Sequence, residues 1–229
     1  MNIAIILAGG TGSRMGGEIP KQYIEVSGKP VFSYCLKIFQ THKRIDAIVI
    51  VAAKNWQDYI TKWVNNENIS KFQGFAQAGS SRQHSIVNGI IKAKEIGAKG
   101  NDVVIIHDAA RPCVSDRLIS ECIEQLDCYD GVMPVLPVKD TIYLSTDRTS
   151  IASLLDRDQL FAGQSPESFL FNKYLAIHNG MNEEQLSLVR GSSEIAFRNG
   201  LRIKLINGDE HNYKITTMAD LEKFKSEVE

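Results

Sequence analysis

Near its start the chain reads Ile3-Ala4-Ile5-Ile6-Leu7-Ala8-Gly9-Gly10-Thr11-Gly12-Ser13-Arg14-Met15-Gly16-Gly17-Glu18-Ile19-Pro20-Lys21-Gln22. The apolar run Ile3 to Leu7 is short and ends in glycines, the mark of a buried strand running into a tight turn. Clustered glycines bring backbone N–H groups close to a ligand, because no Cβ blocks the approach. Arg14 and Lys21 add two cations to the same loop, a combination that suits a polyphosphate. A glycine-rich turn with incidental basic residues is the plainer alternative. Two familiar phosphate loops do not fit. The dinucleotide fingerprint wants its third glycine one residue earlier than Gly16, and an acidic residue after the second strand, where Ala52-Ala53-Lys54 stands. A P-loop wants Lys and then Ser or Thr after Gly17, where Glu18-Ile19 stands.

At 229 residues the chain has room for one sizeable α/β domain, 1–229, with a small appendage. A formal net charge of −1 gives no electrostatic case for nucleic acid or an anionic membrane. No apolar run has the length of a membrane span, and no signal-peptide pattern precedes the first strand, so a cytoplasmic protein is expected. Cys35, Cys113, Cys122 and Cys128 lack C-x-x-C spacing and read as buried, reduced thiols rather than a metal site.

Strand and helix signals alternate, which predicts a mainly parallel sheet with helices on both faces. Pro30 opens a helix with Phe32, Cys35, Leu36 and Phe39 on one side, and Ala47 to Val51 is the next strand. Further helices are expected around Trp56 to Val64, from Ser81 (Ile86, Val87, Ile90 and Ile91 inward) and from Ser115 (Leu118, Ile119, Cys122, Ile123 and Leu126 inward). Between them fall strands near Phe72 to Ala76, at Val103 to Ile106 and at Val132 to Val138. The polar stretch 139–161, with a turn at Ser145-Thr146-Asp147-Arg148, reads as a hairpin arm that reaches a partner subunit. Leu201 to Ile206 then forms a strand, and Thr217 caps a last helix containing Leu221 and Phe224.

His107-Asp108-Ala109-Ala110-Arg111-Pro112 sits where a parallel strand ends, the edge at which open α/β sheets bind ligands. Asp108 can bond a ribose hydroxyl or help hold a magnesium ion, and Arg111 can meet a phosphate through two parallel bonds. A buried Asp–Arg pair that closes the loop is the alternative.

The first loop, G-G-x-G-x-R-M-G with P-K-Q beyond it, resembles the signature of sugar-nucleotide pyrophosphorylases and related nucleotidyltransferases. Taken with H-D-A-A-R-P, the chain resembles the family that makes CDP-activated polyol phosphates, which includes 2-C-methyl-D-erythritol 4-phosphate and ribitol-5-phosphate cytidylyltransferases. Four further segments carry the likeness along nearly the whole chain: Gly79-Ser80-Ser81-Arg82-Gln83-His84-Ser85, Pro137-Val138-Lys139-Asp140-Thr141, Asp156-Arg157 with Gln164-Ser165-Pro166, and Asn212-Tyr213-Lys214-Ile215-Thr216. The resemblance implies an α/β, Rossmann-like three-layer nucleotidyltransferase fold with a projecting β-arm at about 139–161 that makes a homodimer. It implies a nucleotide site at Leu7, Ala8, Gly9, Gly10, Gly12, Gly79, Ser80, Arg82, Ser85, Asp108 and Ala109. Arg111, Thr141, Ser165 and Ser192 would bind the acceptor, and Arg14, Lys21, Arg157 and Lys214 would be catalytic. Mg2+ would be the cofactor, with Asp108 as its ligand.

Two departures stand out. Ser80 replaces a more usual acidic or similar residue, and Gly191-Ser192-Ser193-Glu194 lacks the aspartate expected after Ser192. The implied reaction joins CTP and a polyol phosphate: the acceptor phosphate attacks the α-phosphorus and pyrophosphate leaves, with catalysis by positioning and charge stabilisation. 2-C-methyl-D-erythritol 4-phosphate is the expected acceptor, as Ala109-Ala110 suggests, with ribitol 5-phosphate as the alternative suggested by Gly163-Gln164-Ser165-Pro166. A nucleotide-binding protein without turnover, or an enzyme acting on sugar 1-phosphates, are the competing readings. Retention of Arg14, Lys21, Asp108, Arg157 and Lys214 together speaks against the first, since a mere binder would not need every cation, and the second usually needs a longer chain.

Overall fold

The computed structural model describes residues 1–10 and 19–228. Its centre is β1 (Asn2–Leu7), flanked by β4 (Ala47–Ala52) and β6 (Val103–Asp108), both parallel to it. Leu7 pairs with Val51 on one side and Asp108 on the other, so these strands end together on one edge. Strand β5 (Phe72–Gln77) adds in parallel beside β4. β1, β4 and β6 are apolar nearly throughout because helices cover both faces. The expected parallel core is present.

The other half of the sheet is mixed. β11 (Glu167–Leu170) runs antiparallel between β6 and β7 (Gly131–Pro137), β12 (Ile203–Asn207) is parallel to β7, and β10 (Phe161–Gly163) pairs antiparallel with the far end of β7.

Side-chain alternation divides the core. Ala4, Ile6, Ile48, Ile50 and Ile105 face α1 (Val31–Thr41), α2 (Lys54–Asn66) and α4 (Asp116–Glu124). Ile3, Ile5, Val49, Val51, Val104 and Ile106 face α3 (Arg82–Glu95), α5 (Phe171–Asn179) and α7 (Ser192–Arg198), with α6 (Glu183–Leu188) adding Leu186. Helix α3 lies so close to the sheet that a Cβ on Gly89 would come within 2.5 Å of Ile5 Cγ2. A third cluster joins Val26 and Val31, beside the short hairpin of β2 (Glu25–Val26) and β3 (Lys29–Pro30), to Ile215, Leu221 and Phe224. It anchors the last helix, α8 (Met218–Val228). The expected starts at Ser81 and Ser115 are side-chain caps, with Ser81 Oγ accepting from His84 N and Ser115 Oγ from Leu118 N.

Two sequence expectations need correction. Ile91 does not face inward but is 47% exposed, because α3 turns that position away from the sheet. The thiols are free, but only Cys35 and Cys122 are buried; Cys113 is half-buried and Cys128 exposed, since it follows the end of α4 at the surface.

Between β7 and β10 the chain leaves the sheet as a separate hairpin of β8 (Tyr143–Leu144) and β9 (Ser153–Leu154). Its turn is held by Asp147, which accepts from the backbone N–H groups of Thr149 and Ser150, both at 2.8 Å. Tyr143, Leu144, Ile151 and Leu154 on this hairpin are all exposed. No helix among the described residues is long and apolar enough to cross a membrane.

Candidate active site

Three cations converge on the carboxylate that ends β6. Arg82 Nε donates to Asp108 Oδ1 at 3.2 Å, Lys214 Nζ donates to Oδ2 at 2.9 Å, and Arg111 Nε lies 3.9 Å from Oδ2. Burial alone would raise the Asp108 carboxyl, but Arg82, Lys214 and Arg111 outweigh it and hold the group well below the usual carboxylate range. Burial likewise opposes the charge of Arg82, and Asp108 and Glu167 more than offset it.

The neighbouring backbone is fixed by a short relay. Asp108 N donates to Ser165 Oγ at 3.1 Å, Ser165 Oγ lies 3.3 Å from His107 Nδ1, and His107 Nε2 lies 3.0 Å from the Arg111 carbonyl. A carbonyl only accepts, so Nε2 carries the imidazole proton and Nδ1 accepts from Ser165. Burial pushes the His107 pKa down to about 4, which keeps the ring neutral.

Two cavities open on either side of this cluster and share Arg82, Asp108 and Lys214 as a common wall. The first, about 390 Å³, is lined by Leu7, Gly9 and Gly10, by Lys21 and Gln22, by the Gly79–Arg82 turn with Ser85, and by Thr216. Gln22 ties its two sides together, since Nε2 donates to the carbonyls of Ala8 at 2.6 Å and Gly10 at 2.7 Å. Lys21, next to Gln22 in the chain, lines the same cavity as Gly9 and Gly10. At the opposite rim Gly79 N donates to Ser85 Oγ at 3.0 Å. A Cβ at Gly79 would come within 2.4 Å of His84 Cβ, so this turn needs glycine for close packing. The second cavity, about 690 Å³, is lined by Arg111, Met133, Gly163 to Ser165, Glu167, Arg190 and Ser193, with Phe197 at its rim.

The sequence matches, over residues 2–228, the family described as IspD, 2-C-methyl-D-erythritol 4-phosphate cytidylyltransferase. The chain belongs to this family. It is 33% identical over 230 residues to the ribitol-5-phosphate cytidylyltransferase of Vibrio parahaemolyticus, covering 100% of this chain and 96% of that protein. It is 36% identical over 220 residues to the 2-C-methyl-D-erythritol 4-phosphate cytidylyltransferase of Clostridium tetani, covering 96% and 87%. A crystal structure of 4-diphosphocytidyl-2C-methyl-D-erythritol synthase superposes with a TM-score of 0.81 at 26% identity, over 100% of this chain and 99% of the other. The relatives are named cytidylyltransferases, and this member of the IspD family is a nucleotidyltransferase with their α/β fold.

Of the residues singled out from the sequence, Leu7, Gly9, Gly10, Lys21, Gly79, Ser80, Arg82, Ser85, Asp108 and Lys214 line the first cavity. Ala8 and Ala109 are buried and do not line it; they hold its floor in register, Ala109 N donating to Leu7 O at 3.1 Å. Gly12 and Arg14 lie outside the described residues. Arg111 and Ser165 line the second cavity. Ser192 is fully buried and accepts from Arg82 Nη1 at 2.7 Å, so it orients a cation instead of lining the space. Thr141 and Arg157 line neither cavity; Arg157 is exposed and donates to Lys139 O at the base of the arm. Sequence reading did not single out Gln22, Thr216, Glu167 or Ser193 as site residues. Gln22 and Thr216 lay within quoted motifs, whereas nothing in the sequence pointed to Glu167.

Proposed function

We propose that this chain transfers the cytidylyl group of CTP to the phosphate of a polyol phosphate, releasing pyrophosphate. The carrying observation is the wall of Arg82, Asp108 and Lys214 common to both cavities, one edged by Gly9 and Gly10 and the other by Arg111. A nucleotide in the first cavity and an acceptor phosphate in the second would meet at that wall. Two anionic groups repel each other, and Lys21, Arg82, Arg111 and Lys214 offset that repulsion. The acceptor phosphate is already anionic near neutral pH, so no side chain needs to remove a proton. The chain's contribution is positioning and stabilisation of the charge that develops on the leaving group.

Mg2+ fits this donor set in one way. Among the described residues no cluster of three or more His, Cys, Asp or Glu side chains is placed to hold a metal. The ionised Asp108 carboxylate could supply one oxygen, with the remainder coming from substrate phosphates, the usual arrangement for magnesium on a nucleotide. When bound, the ion would neutralise phosphate charge.

The exposed apolar residues of the hairpin, together with Arg157 and Thr141 on the same excursion, support a homodimer in which each arm reaches the partner's acceptor cavity. The reaction is assigned to the cytoplasm, where CTP is available.

The acceptor we favour is 2-C-methyl-D-erythritol 4-phosphate, in line with the family description and with Ala109-Ala110. Ribitol 5-phosphate is the second reading, because Gly163 and Gln164, which suggested it in the sequence, line the acceptor-side cavity. The test is pyrophosphate release from CTP with each acceptor side by side. Release with 2-C-methyl-D-erythritol 4-phosphate at the higher kcat/KM supports the first reading, a reversed preference supports the second, and no release with either overturns the proposed activity.

A further inference from the structure

Glu167 lines the acceptor-side cavity but takes no part in the charge stabilisation proposed above. It stands on β11 opposite Ile106 of β6, two residues from Asp108, and is 6% exposed. Its Oε2 is fully engaged, accepting from Ser193 N at 2.9 Å and from Ser193 Oγ at 2.6 Å. Its Oε1 accepts no hydrogen bond among the described residues and lies 3.5 Å from Arg82 Nη2, while the side chain lines the cavity. A buried carboxylate is costly unless its oxygens are satisfied. One oxygen is clamped by Ser193. The other is held, among the described residues, only by its ion pair with Arg82, and so keeps acceptor capacity for whatever fills the cavity.

A carboxylate repels phosphate and accepts from hydroxyls. The cations Arg82, Arg111 and Lys214 gather around Asp108, so the acceptor's phosphate belongs there and its carbon chain extends along the remaining wall. We propose that Glu167 Oε1 accepts a hydrogen bond from a hydroxyl of the acceptor's carbon chain and thereby selects a polyhydroxylated phosphate. This rests on the proposed function above. It also accounts for the departure at Ser193. The aspartate expected after Ser192 is replaced by a serine that grips Glu167, so a carboxylate is delivered from the strand instead of the helix start.

The test compares wild type with Glu167→Gln, using whichever of the two acceptors wild type turns over and its analogue lacking one hydroxyl. Glutamine keeps the shape and can still accept from Ser193, but it places an amide N–H where Oε1 stood. The expected result is a fall of about tenfold or more in kcat/KM for the acceptor, with the KM for CTP within about twofold of wild type. At least one deoxy analogue should cost wild type about tenfold and the variant little. An unchanged acceptor KM with turnover intact overturns the inference alone. So does a rise in the KM for CTP that matches the acceptor's, because Glu167 would then only position Arg82. Absence of wild-type turnover with either acceptor overturns the proposed function, and this inference with it. If Glu167→Gln does not fold, Ser193→Ala removes one clamp and should raise the acceptor KM in the same selective way. No rise there overturns the inference.

Discussion

Lys214 Nζ meets Asp108 Oδ2 at 2.9 Å although 106 residues separate them along the chain. The meeting is enforced on both sides of Lys214. Asn212 Nδ2 donates to Ser165 O at 2.6 Å, Asn212 O accepts from Arg111 Nη1 at 2.6 Å, and Ile215 N donates to Ala110 O at 2.9 Å. Buried Ile215 then anchors the segment in the cluster that carries α8. A cation from near the C-terminus is thus built into the wall between the two cavities.

Lys214 and Lys21 are expected to differ in how they fail. Lys21→Ala removes a cation from the wall of the first cavity, and turnover should fall about a hundredfold or more with the KM for CTP changed little. Lys214→Ala touches both cavities, so kcat should fall similarly and the acceptor KM should also rise. Steady-state kinetics with each substrate varied in turn separates the two. Near-normal turnover in Lys21→Ala would leave that residue a surface charge.

Base selection is expected at the opposite rim. Gly79 N–H is taken by Ser85 Oγ, which leaves the hydroxyl proton of Ser85 to be donated to a ligand. CTP should be preferred over UTP by at least about tenfold, because a mismatched polar group is left unpaired. Ser85→Ala should bring the ratio of kcat/KM values close to one. Equal use of the two nucleotides by wild type would remove this role from Ser85.

Arg157 is expected to serve the partner's site. Mixing Arg157→Ala chains with Lys21→Ala chains, under verified subunit exchange, places both lesions in one site of each mixed dimer and leaves the other intact. Activity should recover towards half of wild type per mixed dimer. If no recovery occurs, Arg157 acts within its own chain, and a monomer in solution at assay concentration would reject the dimer.

Acid sensitivity is expected from His107. Its folded pKa of about 4 lies below an unfolded value of about 6.5, so the fold favours the neutral ring. The stability this contributes is complete above pH about 6.5 and is lost as pH falls towards 4, where the unfolded ring binds a proton that the folded one refuses. By pH 5 the loss is about 2 kcal/mol. Buried His178, also lowered, adds in the same direction. Urea unfolding of wild type and His107→Asn at pH 7 and pH 5 should show a flatter variant, by about that amount. Parallel curves would mean that the ring is not held neutral.

What the sequence determined by itself was local. Apolar runs of fixed period placed β1, β4, β6, β7 and the helices between them, and glycines and capping serines marked where they stop. Because parallel strands of one sheet end on one edge, that alone brought Leu7, Gly79 and Asp108 to a single site. The tertiary structure decided what depends on returns from far along the chain. β11 enters the sheet antiparallel only after the arm has doubled back, and no local pattern in Glu167-Ser168-Phe169-Leu170 announces that direction. Helices α5, α6 and α7 span nine residues or fewer, too short for a strong periodic signal, and they are stabilised mainly by packing on the sheet. The roles of Ser192 and Glu167 follow from that packing. A hydroxyl that reads as acceptor-binding in the sequence turns inward to Arg82, and a carboxylate with no motif around it faces the cavity, because side-chain direction at these positions is set by which strands and helices lie alongside.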